Sequence, residues 1–436
     1  MTSLIDPLLD PLLDQLRVHA DEFTALRRDI HRHPELGFAE FRTSDLVAER
    51  LAGWGYRVER GLGGTGVVGQ LTRGNGGGKG TRRLGLRADM DALPITEATG
   101  LPHASAHAGV MHACGHDGHT TMLLAAARHL AEHGRFDGTL NLIFQPAEEG
   151  LGGAKKMMED GLFTKYPCDA IFAMHNMPGH PQGRLILRDG ASMASSDYVT
   201  ITLDGTGGHG AMPHLAADPV VAGAAIVMAL QSIVARNIDP LHMTVITVGA
   251  FNAGTANNVI PQTATLKLSV RALDREVRAT LERRIHELAE AQAQSFGVRA
   301  QVDYRRGYPV LVNTPAETAF AREIALELAG AEQVDLHGRP LTGSEDFAFM
   351  LEQVPGCYLL IGNGDGSAKG HNAGHGACMV HNPGYDFNDH NLPMGAAYWV
   401  LLAERFLTGA AVTGAAVSGA SVTAMAATGI TDAAEA

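Results

Sequence analysis

The segment Leu84-Gly-Leu-Arg-Ala-Asp-Met-Asp91 joins a short apolar run to two aspartates, and this pattern decides the fold. The pattern recurs where residues 140–144 lead into Gln-Pro-Ala-Glu148-Glu149-Gly150, and where residues 171–174 lead into His175. In open parallel sheets, binding sites form beyond the carboxyl ends of the strands. The sequence therefore predicts that polar side chains distant along the chain meet at one edge of a sheet.

Apolar runs that alternate with amphipathic stretches indicate an α/β class with mostly parallel strands. The expected strands are residues 66–71, 83–87, 140–144, 170–174 and 358–361, and the expected helices are 41–53, 118–133 and 394–407. These elements would build a catalytic domain from two parts of the chain, residues 1–193 and 308–408.

Residues 197–306 follow a different order, β-α-β-β-α-β, which is typical of a ferredoxin-like α+β unit. In its third strand, Ala264, Leu266 and Leu268 alternate with polar residues, as expected for a strand with one buried and one wet face. A complete small unit inside a longer α/β chain indicates an inserted second domain, with bounds near 194 and 307.

Composition bears on partners and compartment. The net charge of −13 argues against a nucleic-acid surface, which would need a basic footprint. No uninterrupted apolar run reaches the roughly 18 residues of a membrane span, and the N-terminus lacks a basic signal region. We therefore expect no membrane partner and a cytoplasmic location. Residues 409–436 have no aromatic side chains, and we expect a disordered tail there.

A further cluster of histidine, cysteine and aspartate lies at the start of a predicted helix, in the segment His112-Ala-Cys-Gly-His-Asp-Gly-His119. Histidine, carboxylate and thiolate are the donors that hold zinc and related divalent ions. Four cysteines occur without any CxxC pair, so neither a disulfide framework nor a zinc ribbon is indicated. Any one of these positions alone would most often be structural, but the set at strand ends predicts a metal site.

At this point the chain resembles the M20 metallopeptidase family, in its branch of hippurate hydrolases and N-acyl-amino-acid amidohydrolases. The matching motifs are His31-Arg-His-Pro-Glu-Leu-Gly-Phe38, Arg87-Ala-Asp-Met-Asp-Ala-Leu-Pro94, His112-Ala-Cys-Gly-His-Asp-Gly-His119, Gln145-Pro-Ala-Glu-Glu-Gly150, Ala173-Met-His-Asn176, Gly207-Gly-His-Gly210, Asn258-Val-Ile-Pro261, Gly343-Ser-Glu-Asp-Phe347 and His381-Asn-Pro383. They occur in family order over about residues 25–405.

The resemblance implies two divalent metal ions per subunit, with zinc, manganese, cobalt and nickel as the candidates. The implied ligands are Cys114 as a bridging thiolate, His116, Glu149, His175 and His381. Glu148 would be the general base, and Asp91 would orient His116 through its other ring nitrogen.

The resemblance also assigns residues of the inserted domain. His209 would reach across a dimer into the partner's site and stabilise the oxyanion. Arg271 would bind the carboxylate of the substrate, because its planar fork suits bidentate pairing, and Asn258 would hold the same end. The inserted domain would then act as a lid and as the contact of a homodimer or larger homo-oligomer.

The implied activity is metal-dependent hydrolysis of the amide bond in small N-acyl amino acids. A dipeptidase or carboxypeptidase on the same scaffold is the main alternative. Two other classes remain: a metal-independent thiol hydrolase that uses Cys114 as nucleophile, and a catalytically silent binding protein. Met193, Met212 and Phe251 are the expected neighbours of the acyl group.

Overall fold

The computed structural model describes residues 9–74, 81–365 and 378–409, so the expected tail lies outside the described residues beyond 409. The helices are α1 (Leu9–Arg17), α2 (Ala20–Arg32), α3 (Phe41–Gly53), α4 (His116–His133), α5 (Gly153–Glu159), α6 (Leu162–Lys165), α7 (Pro219–Asn237), α8 (Arg275–Ser295), α9 (Pro315–Ala329), α10 (Phe347–Leu351) and α11 (Asn391–Thr408). The strands are β1 (Arg57–Leu62), β2 (Gly66–Arg73), β3 (Arg82–Asp89), β4 (Gly138–Gln145), β5 (Ala170–Pro178), β6 (Leu185–Ile186), β7 (Gly190–Met193), β8 (Asp197–Asp204), β9 (Gly208–His209), β10 (Thr244–Ala253), β11 (Val259–Ile260), β12 (Thr263–Ala272), β13 (Arg299–Arg306), β14 (Leu311–Asn313), β15 (Val334–Asp335) and β16 (Gly356–Gly364).

A large sheet of eight strands, in the order β1-β2-β4-β3-β5-β16-β6-β15, forms the centre of the molecule. Both of its faces are buried. Along β4, Leu142 and Phe144 belong to a core with α2, α4 and α11, whereas Ile143 belongs to a core with α5 and α10 on the other face. Strands covered on both faces appear as continuous apolar runs, which explains why residues 140–144 stand out in the sequence.

The expectation of a mostly parallel sheet is correct at the centre and wrong towards the edges. Neighbours β4, β3, β5 and β16 are parallel, but β1 pairs antiparallel with β2, β2 with β4, and β16 with β6. The reason at the β1 edge is local. A turn through Gly63 and Gly64, both at positive φ, joins β1 to β2 as a hairpin, which can only pair antiparallel.

Residues 197–306 form a second sheet with two helices, together with the short strands β9 and β11. Its four antiparallel strands run β10-β12-β8-β13, and α7 and α8 pack on it. Side chains of β12 alternate between buried and more exposed positions, as the sequence pattern predicts. Asp218 and Asp274 begin the two helices, because each carboxylate accepts backbone N–H groups of the first turn.

Helix α7 bears on the expectation about membrane-length segments. It is the one helix among the described residues with the length and apolar composition to cross a membrane, although only 33% of it is buried. Uninterrupted runs miss it because Gln231 and Ser232 fall within it. A single helix of this kind is weak evidence for a span. Ile226 and Leu230 pack in the core of the second sheet, while Met228 is 73% exposed.

Candidate metal centre

A cavity of about 570 Å³ lies at the carboxyl ends of the central parallel strands. The predicted site residues that line it are Cys114, Glu148, Glu149, His175, Arg271 and His381. Apolar side chains complete the wall, among them Met177, Met193, Leu341 and Leu360. The cavity therefore combines a compact polar cluster with apolar surface, as sites for small molecules do.

The five predicted ligands fall into two groups that share Cys114. Donor atoms of Cys114, His116 and His175 lie within 4.8 Å of one another, and so do those of Cys114, Glu149 and His381. Cys114 Sγ is 3.3 Å from His175 Nε2, and His381 Nε2 is 3.1 Å from Glu149 Oε1. One sulfur between two donor sets is the arrangement that a bridging thiolate requires.

His116 gives an independent reason to place a cation here. Its Nδ1 is 3.2 Å from Asp91 Oδ1, whereas its Nε2 is buried and has no hydrogen-bond partner in the part of the chain that the structure describes. Leaving such an atom unsatisfied costs about 1–3 kcal/mol. Burial lowers the pKa of His116, but the charges of Asp89 and Asp91 outweigh it and raise the pKa to about 10. The position favours positive charge, and a metal ion on Nε2 fits it.

Burial shifts the pKa values of the two predicted ligands Cys114 and His175 in opposite directions. Burial, followed by the nearby charges of Glu149 and Glu148, raises the pKa of the Cys114 thiol well above its usual range. Burial also lowers the pKa of His175, which keeps the ring neutral and able to donate a lone pair. Without a cation beside it, Cys114 is therefore a protonated thiol and not a reactive thiolate.

Asn176 supports the ligands from behind, and the sequence analysis assigned it no role. Its Nδ2 donates to the Cys114 carbonyl (2.6 Å), and its Oδ1 accepts from the Tyr385 hydroxyl (2.6 Å). Its backbone N–H donates to His119 Nε2 (2.9 Å), so the proton of that ring lies on Nδ1. That Nδ1 is 2.7 Å from Asp89 Oδ1. Both Asp89 and His119 lie in recognised motifs, but only the fold shows that they act as a pair.

Gly115 separates Cys114 from His116, and no other residue fits there. Its φ is +88°, and a Cβ would lie 2.3 Å from Asn176 Nδ2 and 2.5 Å from the Tyr385 hydroxyl oxygen. Close packing of this turn against Asn176 thus needs a residue without a side chain.

Glu148 is buried beside the ligand groups. Burial raises its pKa well above the usual range, and the charges of Glu345 and Glu149 add to the effect. One of its oxygens accepts from the backbone of Asp346 at 3.3 Å. Arg87 offsets the negative charge nearby, because it donates to Glu345 (2.9 Å) and Asp346 (3.2 Å) from a fully buried position. The sequence analysis assigned no role to Arg87 or Glu345.

The comparison with known families follows this geometry. A family model described as peptidase family M20/M25/M40 matches residues 85–405, which contain both ligand groups and Glu148. The chain belongs to the M20/M25/M40 peptidase family.

Relatives of this M20 chain include characterised enzymes. It is 46% identical over 386 residues to hippurate hydrolase from Campylobacter jejuni. The aligned stretch covers 88% of this chain and 97% of that protein. It is 39% identical over 351 residues to N-acetyl-L-cysteine deacetylase from Bacillus subtilis, covering 80% and 82%. A crystal structure of a Bacillus subtilis protein described as a dinuclear metal binding peptidase of the M20 family superposes with a TM-score of 0.76. That protein is 30% identical, with coverage of 90% and 99%. This M20 chain is an enzyme that hydrolyses amides in a metal-dependent reaction.

The residues predicted to bind substrate lie in two places in this M20 enzyme. Arg271, on β12, lines the cavity and donates to the Ser344 hydroxyl at 2.9 Å. His209, on β9, and Asn258, just before β11, are exposed and are not among the described residues that line the cavity. The Ala211 N–H donates to His209 Nδ1 at 3.0 Å, which leaves the ring proton on Nε2.

Of the three side chains expected near the acyl group, only Met193 lines the cavity of this M20 enzyme. Met212 is exposed, and Phe251 lies over α7, where a Cβ on Gly223 would be 2.5 Å from its ring. Neither lines this cavity: Phe251 lies on the face of the second sheet that packs against α7, and Met212 lies in the loop after β9.

Proposed function

We propose that this enzyme hydrolyses the amide bond of N-acyl amino acids, of the hippurate or N-acetyl amino acid type, to a carboxylic acid and a free amino acid. The observation that carries the proposal is the pair of donor groups sharing Cys114, with Glu148 buried beside them. The names of the relatives support the substrate class, since two of them are hydrolases of N-acyl amino acids.

His116 and His175 would hold one metal ion, Glu149 and His381 the other, and Cys114 both. Divalent ions bound there would supply Lewis acidity, which lowers the pKa of water and polarises an amide carbonyl. A thiolate favours zinc and other soft ions, although cobalt, nickel and manganese remain candidates because availability decides between them.

Glu148 is the residue that moves protons. Its carboxylate accepts a proton from the attacking water, and the buried carboxylic acid then donates a proton to the nitrogen that leaves. A raised pKa suits this exchange, because the group must hold the proton between the two steps. Arg87 donates to the neighbouring Glu345 and Asp346 and so offsets part of the negative charge around Glu148.

Arg271 would bind the free carboxylate of the amino acid. It lies in the wall of the cavity and is partnered by the Ser344 hydroxyl, which a carboxylate can displace or share. Because Arg271 belongs to β12, the substrate would bridge the second sheet and the metal-bearing sheet. Residues 194–307 would then act as a lid whose closure completes the site between residues 1–193 and 308–408.

A homodimer would explain why His209 and Asn258 are exposed. His209 carries its proton on Nε2, which suits donation to an oxyanion, yet it does not line the cavity of its own chain. The wet side of α7, with Val221 50% and Met228 73% exposed, offers apolar surface for a second copy. We place the contact on residues 194–307, with His209 and Asn258 entering the partner's site.

The competing classes fit less well. A thiol hydrolase needs a thiolate, whereas burial and carboxylates keep the Cys114 thiol protonated. A silent binding protein would not need Glu148 and all five donors in place. A dipeptidase keeps the same chemistry, and the names of the relatives, which are hydrolases of N-acyl amino acids, favour the N-acyl substrates over it.

The deciding experiment is a substrate panel of hippurate, N-acetyl amino acids and simple dipeptides. It uses enzyme depleted by a chelator and reloaded with zinc, manganese, cobalt or nickel, beside Glu148→Gln and the exposed control Glu159→Gln. We expect activity only after reloading, a loss of about 10²–10⁴-fold in Glu148→Gln, and preference for N-acyl amino acids. Undiminished activity after chelation would reopen the Cys114 nucleophile, and preference for dipeptides would make the enzyme a peptidase.

A further inference from the structure

The two stretches of chain that connect the second sheet to the large sheet are bonded to each other. The Gly307 N–H donates to the Ser196 carbonyl at 2.9 Å, and the Ser196 N–H donates to the Tyr308 carbonyl at 3.0 Å. The Tyr308 N–H donates to the Ser196 hydroxyl at 3.2 Å. A Cβ on Gly307 would lie 2.5 Å from the Ser196 carbonyl oxygen, so the backbones are in close contact. We call these two connecting segments, residues 195–197 and 306–309, the junction.

The junction is fixed to the second sheet by a buried ion pair. Arg278, on α8, donates to Asp197 from Nε (3.0 Å) and Nη2 (2.5 Å). The Tyr304 hydroxyl and the Gly307 N–H donate to the same carboxylate at 2.7 and 3.1 Å. Asp197 is fully buried, and breaking such a pair by removing one partner typically costs several kcal/mol. The junction therefore moves with the second sheet.

The junction also reaches Arg271. The Ser195 N–H donates to the carbonyl of Ala272, the residue after Arg271, at 2.8 Å. Arg271 thus sits one peptide unit from a backbone bond that holds the junction in place.

On its other side, the junction touches the turn that carries Glu148. The Tyr308 hydroxyl donates to the Glu148 carbonyl at 2.5 Å and accepts from the Gly152 N–H at 3.0 Å. A single hydroxyl therefore joins the two ends of the turn formed by residues 148–152. The ring is 7% exposed and packs edge-on against Phe349, with ring centroids 5.9 Å apart.

The turn is strained and depends on its surroundings. Ala147, just before Glu148, has φ +53°, a left-handed conformation that is unfavourable for a residue with a side chain. Outside contacts hold it in place, since the Ala147 N–H donates to Glu40 and the Glu149 N–H to Asp91. Loss of a further contact allows the turn to relax and shift the Glu148 carboxylate.

We infer that Tyr308 is a positioning residue that couples the junction to Glu148, so that the placement of the second sheet sets the placement of the base. The inference rests on the proposed function of Glu148. A substrate carboxylate bound by Arg271 biases the junction, and Tyr308 transmits this bias to the turn through one hydroxyl. The coupling is measurable as a non-multiplicative effect of two substitutions.

The first variant is Tyr308→Phe, which removes the hydroxyl and keeps the ring. Its matched control is Tyr398→Phe, because the buried Tyr398 hydroxyl also donates to a backbone carbonyl, that of Ala321 at 3.0 Å, far from the cavity. We expect kcat to fall about tenfold in Tyr308→Phe, with KM within about twofold and metal content unchanged. The control should lose a comparable amount of Tm and keep its kcat. An unchanged kcat in Tyr308→Phe would overturn the inference.

The second variant, Ser196→Ala, removes the hydroxyl that accepts from the Tyr308 N–H and is tested alone and with Tyr308→Phe. Coupling through Tyr308 predicts that Ser196→Ala lowers kcat in the wild type and has little further effect in Tyr308→Phe. Effects on kcat that simply multiply would contradict this coupling. A loss of Tm large enough to explain the lower kcat of both variants would contradict it too.

The wild-type substrate panel separates this inference from the proposed function. If the wild type hydrolyses only dipeptides, the proposed substrate class fails, and the Tyr308 comparison proceeds with the best dipeptide. If N-acyl amino acids are hydrolysed and the double-variant effects multiply, the proposed function stands and the coupling fails.

Discussion

Asp91 joins the two metal-ligand groups, because it contacts a residue from each. Its Oδ1 is 3.2 Å from His116 Nδ1, and its Oδ2 accepts from the Glu149 N–H at 3.0 Å. Asp91→Asn keeps the shape but loses an acceptor and the charge. We expect a 10–100-fold weaker metal affinity, measured by competition with a chromogenic chelator. Asp45→Asn, at an exposed site, serves as the control, and equal affinities for the two variants would show that Asp91 does not orient the ligands.

Arg271 should be needed for substrates with a free carboxylate. In Arg271→Lys the bidentate fork is lost, and we expect kcat/KM for the best N-acyl amino acid to fall about 10–150-fold. The carboxamide of the same substrate should be hydrolysed equally by the variant and the wild type. Arg299→Lys, a lysine at an arginine that is largely exposed, controls for the substitution itself. An equal loss on both substrates would mean that Arg271 acts on the fold and not on the carboxylate.

A dimer that shares residues predicts recovery of activity on mixing. His209→Ala and Glu148→Gln should each be nearly inactive. After subunit exchange, a mixed dimer has one site with intact Glu148 and a partner that supplies His209. With half of the dimers mixed and one of two sites restored, we expect about a quarter of the wild-type activity. Light scattering reports the dimer independently. No recovery, with exchange demonstrated by labelled subunits, would place His209 in its own chain's site or in none.

The pair of His31 and Asp117 makes stability depend on pH. Burial lowers the pKa of His31, but hydrogen bonds and charge from Asp117, with a contribution from Glu97, raise it to about 9. Because this exceeds the unfolded value of about 6.5, the stabilisation is complete below that pH and is lost as pH rises through about 9. The stability difference between the wild type and His31→Gln should therefore shrink by at most about 3 kcal/mol over this window.

Urea unfolding of metal-saturated protein at several pH values measures this difference. His33→Gln, two residues away and partly exposed, provides the matched control. Curves for the wild type and His31→Gln that stay parallel from pH 6 to about 10 would rule out the linkage.

Local sequence pattern predicts most elements of the large sheet, whereas the proposed ligands come from the family resemblance. The motif ends of β3, β4 and β5 lie where the apolar runs stop, since buried strands in a covered sheet show as continuous apolar segments. Helix α3 begins and ends at the predicted residues, 41 and 53.

Contacts that depend on the whole fold cannot be predicted from local sequence pattern. The pairing of Asp89 with His119, the support of Cys114 by Asn176 and the contact of Tyr308 with the Glu148 carbonyl each join segments far apart in sequence. Strand direction at the edges depends on the connections, which is why the sequence did not predict that β2 and β6 run against the central strands. His371 and His375 lie outside the described residues, as does the chain beyond 409.

The positions of the donors along the chain mean that the proposed metal centre can form only after most of the chain has folded. Its donors are spread from Cys114 to His381, so a nascent chain cannot close the second position until nearly all of the folded chain has been synthesised. Metal that binds only the finished arrangement stabilises that arrangement and no partial one. Because both positions use the same sulfur, they should fill and empty together. In protein saturated with metal, the metal content would therefore measure how many molecules hold the strand edge in its folded arrangement.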